Sequence, residues 1–224
     1  MKKHFCFLFL VALNFLVSCQ KEVTDPDMQP PTSGTGGQQV DTYMPLTKNT
    51  YWRYKDSITS AVTVMTVLDK KKAISGRTYT AVLGSNTAQT DTFYMTQQNR
   101  DYYNYVWVNN GGHSAVLVMH YLNDTASVGT TWEYLAGQGN GFAAYFKTTI
   151  VERDLTHTVL NRTYNDVIHT RMEMSYDIMG QRISAGIYEY YVAKNIGIVQ
   201  VKNRLSMLGV ELTTSSDLME YQIK

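Results

Sequence analysis

The chain has 224 residues, 17 tyrosines, 2 cysteines and a formal net charge of +1, with 17% of its residues charged. Nucleic-acid binding rests on counterion release by many Lys and Arg, and a chain this close to neutrality lacks the basic excess for it. The roughly 180 residues beyond a leader and linker can support one hydrophobic core, or two small subdomains sharing a sheet.

Lys2, Lys3 and His4 give a short positive start, followed by an apolar run over residues 5–17 broken only by Asn14. That is the layout of a secretory signal, and it falls short of the roughly 20 residues a membrane-spanning helix needs. Leu16-Val17-Ser18-Cys19 resembles the bacterial lipobox: an aliphatic residue, a tolerant position, a small residue, then the acylated cysteine. The resemblance implies that residues 1–18 are removed and that the Cys19 thiol carries diacylglycerol. Two acyl chains, at about 0.8 kcal/mol per buried methylene, anchor stably where one is marginal. The mature chain would lose Lys2 and Lys3 but no acid, so its charge becomes −1. With Cys6 in the leader and Cys19 acylated, disulfides, thiol catalysis and cysteine metal sites are excluded together.

Residues 19–42 hold Pro26, Pro30 and Pro31 and the run Ser33-Gly34-Thr35-Gly36-Gly37. Such a segment cannot bury enough apolar surface to order itself and reads as a tether spanning about 25 Å. Its glycines are followed by no Lys-Ser or Lys-Thr, so they are not read as a phosphate loop.

From Tyr43 onward apolar positions recur at period two, in short runs rich in Val, Ile, Thr, Tyr and Trp, which is strand chemistry. After Tyr51-Trp52-Arg53-Tyr54 the predicted strands are residues 61–68, 77–83, 92–96, 102–108, 115–121, 131–135, 143–151, 156–160, 166–176, 186–193, 198–205 and 218–223. Turn signals separate the early ones at Ser75-Gly76, Ser85-Asn86, Asn99-Arg100-Asp101 and Asn109-Asn110-Gly111-Gly112. The expected fold is mainly β: antiparallel sheets forming a sandwich, half-barrel or barrel of about a dozen strands. A single domain over 43–224 is expected, with a candidate repeat of 43–122 in 123–224. The repeat rests on Thr50-Tyr51-Trp52-Arg53-Tyr54 against Thr130-Thr131-Trp132-Glu133-Tyr134, and on Arg77-Thr78-Tyr79 against Arg162-Thr163-Tyr164.

Tyr43-Met44-Pro45-Leu46 with Tyr51-Trp52-Arg53-Tyr54, then Asn161-Arg162-Thr163-Tyr164-Asn165-Asp166-Val167-Ile168, then Tyr190-Tyr191-Val192-Ala193-Lys194-Asn195-Ile196-Gly197-Ile198-Val199 form an ordered series. The series resembles uncharacterised envelope lipoproteins of the Bacteroidota. Asn49 and Asn195 stand where that pattern carries glycines, and asparagine tolerates left-handed backbone better than other residues. The resemblance implies a mainly β, exported, lipid-anchored protein and brings no catalytic set with it. A looser likeness is to half-barrels that carry lipoproteins or other greasy ligands through the periplasm, an analogy at the level of fold alone.

Chemistry-bearing spacings are few. His113, His120, His157 and His169 fall on separate turns or strands with no His-x-His pattern; His157 and His169 could meet across a hairpin, but two imidazoles fall short of a zinc site. No metal or cofactor is expected. No Gly-x-Ser-x-Gly elbow occurs. Glu133, Glu152, Asp154, Glu173 and Glu189 are the carboxylates from which a glycosidase pair could be drawn, without preference from spacing. Tyr103, Tyr105 and Trp107 share one face of a strand, as do Tyr188 and Tyr190, and an exposed aromatic row can stack on sugar rings or take an apolar ligand. Such rows also pack sheet cores, where Trp52 and Trp132 are the expected anchors and Met172 and Met174 share the face of Ile168.

The sequence therefore predicts a non-catalytic envelope lipoprotein, facing the periplasm or the cell surface from the outer membrane. Cys19 holds it to the membrane, and its β domain binds a partner protein, a glycan or a lipophilic ligand, with Tyr103, Tyr105 and Trp107 as the candidate binding residues. The rival reading is an envelope glycan hydrolase with paired carboxylates.

Overall fold

The computed structural model describes residues 41–224 except 111–112, 140–141 and 208–209, and side chains except those of 108–115, 139–142 and 206–210. The predicted signal, Cys19 and residues 20–40 of the predicted tether lie outside the described residues, while Thr42, expected in the tether, is buried in the fold. Within them the chain is all strand: β1 (Tyr51–Asp56), β2 (Val62–Ile74), β3 (Arg77–Ser85), β4 (Thr90–Gln98), β5 (Asp101–Asn110), β6 (His113–Asn123), β7 (Thr131–Gly139), β8 (Phe142–Val159), β9 (Arg162–Ile178), β10 (Gln181–Ala193), β11 (Gly197–Met207) and β12 (Val210–Gln222).

The sheet order is β6-β5-β4-β3-β2-β1-β12-β11-β10-β9-β8-β7. Each strand pairs antiparallel with its chain neighbour, β12 pairs with β1, and only β6 and β7 lack a ladder between them. Curling brings those two edges together, so the twelve strands make one nearly closed barrel. The close approach of β6 and β7 covers the two edges that would otherwise invite aggregation.

The β6–β7 seam is sealed by side chains instead of a ladder. The His120 N–H donates to the Tyr134 hydroxyl at 2.5 Å, and the His120 carbonyl accepts from Trp132 Nε1 at 3.2 Å and Thr148 Oγ1 at 3.0 Å. Thr170 Oγ1, one strand further along, donates to the Tyr121 carbonyl at 2.8 Å. Inward residues of β7, β8 and β9 thus reach adjacent backbone groups of β6, so β6 tucks under that part of the sheet. Gly137 is required there, because a Cβ on it would run into the Val116 carbonyl.

Residues 143–151 and 156–160, predicted as separate strands, are both parts of the long β8. Three register shifts interrupt its pairing with β9, and Asp154 sits at φ 54°. The polar stretch that reads as a turn is a set of bulges, which bend a strand without ending it.

The barrel has two ends. The turns at 75–76, 99–100, 160–161 and 194–196, and the loop 124–130, lie at one, where the chain also enters from residue 41. Residues 42–46 plug this entry end. Tyr43 and Met44 are each 5% exposed, the Tyr43 N–H donates to the Tyr102 hydroxyl, and the Asn195 N–H donates to the Thr42 carbonyl. Behind the plug Trp52, Val67, Val82, Tyr102, Tyr121, Ile168, Val192 and Leu218 fill the interior and are buried. Asn49 and Asn195 adopt φ 66° and 61°, the left-handed backbone their sequence pattern calls for.

The candidate repeat corresponds to β1–β6 and β7–β12, two six-stranded meanders joined by the loop 124–130. Trp52 and Trp132 lie on the first strand of each, and Arg77 and Arg162 open the third. Trp52 is buried, whereas Trp132 is half-buried at the seam.

Candidate functional site

Strand register sorts the side chains into an inward and an outward face. Tyr121 of β6 and Tyr190 of β10 lie on strands that are not sheet neighbours, yet their rings are 5.3 Å apart, so this face is the interior. Its burial changes along the axis. Toward the far end, away from the plug, Tyr54, Met65, Phe93, Val106, Leu117, Tyr134, Tyr176, Tyr188, Leu205 and Leu212 point inward but are only half-buried. Ala144, Phe146 and Met174 are buried inward residues of the same region, on the strands that β6 overlaps.

Burial is the leading cause that pushes the hydroxyl pKa of Tyr54, Tyr134, Tyr176 and Tyr188 up, that of Tyr188 to about 12. These inward side chains keep part of their surface accessible. An eight-stranded barrel is just wide enough for side chains to fill, and width grows with strand number. Buried polar atoms without a partner accompany this lining: the Tyr121 hydroxyl, Asn104 Oδ1 and Asn203 Oδ1.

The aromatic row singled out from sequence lies on the other face. Tyr103, Tyr105 and Trp107 do share a face, and it is the outward one, packed with Tyr79, Tyr94, Val116 and Val118 into a second small apolar cluster. The Arg77 guanidinium covers the Tyr103 ring at 4.2 Å, Lys72 Nζ lies 5.2 Å above Tyr94, and His120 stacks on the other side of Tyr103 at 4.5 Å. Tyr103 and Tyr105 are therefore 9% and 8% exposed, and of the three only Trp107, at 51%, presents a free ring.

His157 and His169 are brought together as the hairpin suggests, with Tyr191 between them. The two imidazoles stack on this one phenol at 3.9 and 4.3 Å with interplanar angles of 4° and 10°, which places them on opposite faces of it. His157 Nε2 is 2.9 Å from Gln200 Oε1, and His169 Nδ1 is 3.2 Å from Glu152 Oε2. A ring held between two others separates their nitrogens, so the pair does not converge on one point.

The carboxylates weighed for glycoside cleavage point outward or are exposed. Glu133 pairs with Arg182, Glu173 and Glu189 share Arg171, Glu152 meets His169, and Asp154 is exposed in its bulge.

No family model matches the chain, and no curated protein is similar to it in sequence. Two solved structures are similar to this one. A "putative lipoprotein" from Parabacteroides distasonis ATCC 8503 is 11% identical, with a TM-score of 0.48 over 83% of this chain and 100% of that chain. A "putative exported protein with YmcC-like fold" from Bacteroides fragilis NCTC 9343 is 10% identical, with a TM-score of 0.46 over 82% of this chain and 100% of that one.

Proposed function

We propose that this protein is a non-catalytic envelope lipoprotein that takes a lipophilic small molecule into the far half of its barrel. The observation that supports the reading is the inward apolar lining of the far half, much of which keeps accessible surface. An interior left with apolar accessible surface loses dispersion contacts and gains them when an apolar ligand enters. The lipobox and tether support the location: Cys19 holds the chain to a membrane, in our reading the outer membrane, on its periplasmic or outer side. Residue 41 enters at the plugged end, so the binding half lies at the opposite end of the barrel from the tether.

A glycan hydrolase would need two carboxyl groups facing a shared cleft. Glu133, Glu173 and Glu189 are instead committed to arginines on the outer face.

Titration of the mature protein with N-phenyl-1-naphthylamine tests the binding reading. Saturable fluorescence enhancement at one probe per chain is expected, and a linear, unsaturable response contradicts it. Mass spectrometry of protein from its natural host tests the anchor. A mature chain beginning at an acylated Cys19 is expected, and an intact Met1 with free thiols refutes it.

A further inference from the structure

We infer that the outward aromatic ridge is a second binding site, one that takes an acidic polysaccharide by stacking a sugar ring on Trp107 and pairing uronate groups with Lys72 and Arg77. The site lies outside the barrel and goes beyond the interior binding proposed above, on which it does not depend.

The ridge runs along β5. Tyr103, Tyr105 and Trp107 alternate on its outer face, so its two ends are about 13 Å apart at roughly 3.3 Å per residue. Tyr79 and Tyr94 flank Tyr105 at 5.8 and 6.1 Å, and Trp107 meets it near a right angle at 6.2 Å. Of these rings only Trp107 is exposed. Tyr94 and Tyr105 are paired across the ladder, and beyond Tyr94 the same face of β4 carries Thr92 and Thr90, both exposed. One free aromatic surface beside exposed hydroxyls suits a ring with a C–H face and hydroxyl edges.

Cations sit on this ridge with no acid to answer them. Lys72 Nζ lies over Tyr94 and the Arg77 guanidinium over Tyr103. Lys70 and Lys71 adjoin Lys72 and are exposed. Of the acids nearby, Asp69 is paired with Lys48, and Asp101 is held by His120 Nε2 and Asn123 Nδ2. Among the described residues no carboxylate pairs with Lys70, Lys71, Lys72 or Arg77. The imbalance is regional. Residues 43–122 hold eight Lys and Arg against four Asp and no Glu, whereas residues 123–224 hold nine against eleven Asp and Glu. The ridge therefore lies in the positively charged part of the fold, and an anionic ligand is drawn to it.

The two kinds of contact together select the ligand. A lipid surface needs a broad apolar face, and here a single ring protrudes. An acidic peptide would satisfy the cations and leave the ring at 107 without a partner of fitting shape. A polymer of uronate rings supplies both, and the length of the ridge admits a short run of them. Lys72 and Arg77 already rest on tyrosine rings, so less side-chain freedom is lost when they pair.

Calorimetric titration of the mature protein with tetragalacturonate and tetramannuronate tests the site. At least one should bind saturably at one oligomer per chain, about tenfold more tightly than its methyl ester, which keeps the rings and loses the charge. Trp107→Ala should weaken binding about tenfold and Lys72→Gln about fivefold. Acrylamide quenching of wild-type fluorescence needs no variant. Trp52 is buried and Trp132 half-buried, so a bound oligomer should lower the quenching by covering Trp107. Binding of neither uronate, equal binding of acid and ester, or unaltered quenching at saturation overturns the inference. Poly-L-glutamate binding as tightly as the uronates also overturns it and assigns the ridge to acidic peptides. None of these outcomes bears on uptake of N-phenyl-1-naphthylamine by the interior.

Discussion

Tyr102 joins the plug to the barrel wall through a single hydroxyl. It donates to Asp124 Oδ2 at 2.6 Å and accepts from the Tyr43 N–H at 3.0 Å, and Arg100 Nε holds the other oxygen of Asp124 at 2.6 Å. The Asp124 side chain is fully buried, so Tyr102→Phe leaves one of its oxygens and a buried N–H without partners. A loss of about 1–3 kcal/mol in urea unfolding is expected. A histidine effect is expected as well. Burial is the leading cause that lowers the pKa of both His120 and His157 in the fold. The unfolded chain therefore takes up protons first, and stability present above the ordinary histidine value of about 6.5 declines as pH falls through it. Urea titrations at pH 8 and pH 5 read this directly. His157→Phe keeps a ring against Tyr191 and should shrink the difference, and an unchanged pH dependence contradicts the assignment to His157.

The elements were the most legible part of the sequence. Period-two alternation located the strands, and the asparagines at 49 and 195 marked two left-handed positions that the backbone does adopt. Alternation also put Tyr103, Tyr105 and Trp107 on one face, and Tyr188 and Tyr190 on another. Which face becomes interior depends on the order of strands from distant parts of the chain, and no local pattern carries that. The covers on Tyr103 and Tyr94 come from Arg77 and Lys72, long cations whose stems pack on rings, and a charged residue in sequence gives no sign of such a contact. Asn203 was equally silent, being one polar residue in an alternating strand until the register set it inward beside Thr214. The seam makes its own prediction at this scale. Gly137→Ala places a methyl group against the Val116 carbonyl and should cost about 1–3 kcal/mol through local overpacking. Gly129→Ala is a poor control because of its φ of 84°, so Ala136→Gly serves for comparison. If Gly137→Ala unfolds at the wild-type urea concentration, the close approach of β6 and β7 is wrong.

Across the whole molecule the same physics makes one end solid and leaves many inward side chains at the other end half-buried. The entry end is closed by residues 42–46 and a fully buried aromatic and aliphatic core. The far half carries the same kind of apolar side chains, many of them only half-buried. Barrel width grows with strand number, and the proposed binding role draws on that width. The register also sets apart two apolar surfaces, the interior and an outward aromatic ridge ending at Trp107.

The most direct measurement compares the affinity of N-phenyl-1-naphthylamine for Thr214→Trp and Trp107→Ala, each checked for native β content by circular dichroism. Filling the interior with the indole at 214 is expected to weaken binding at least about tenfold, a change of roughly 1.4 kcal/mol, while removing the exposed ring at 107 leaves it unchanged. Unchanged binding in Thr214→Trp with loss in Trp107→Ala would place the ligand on the outer ridge and contradict an interior site.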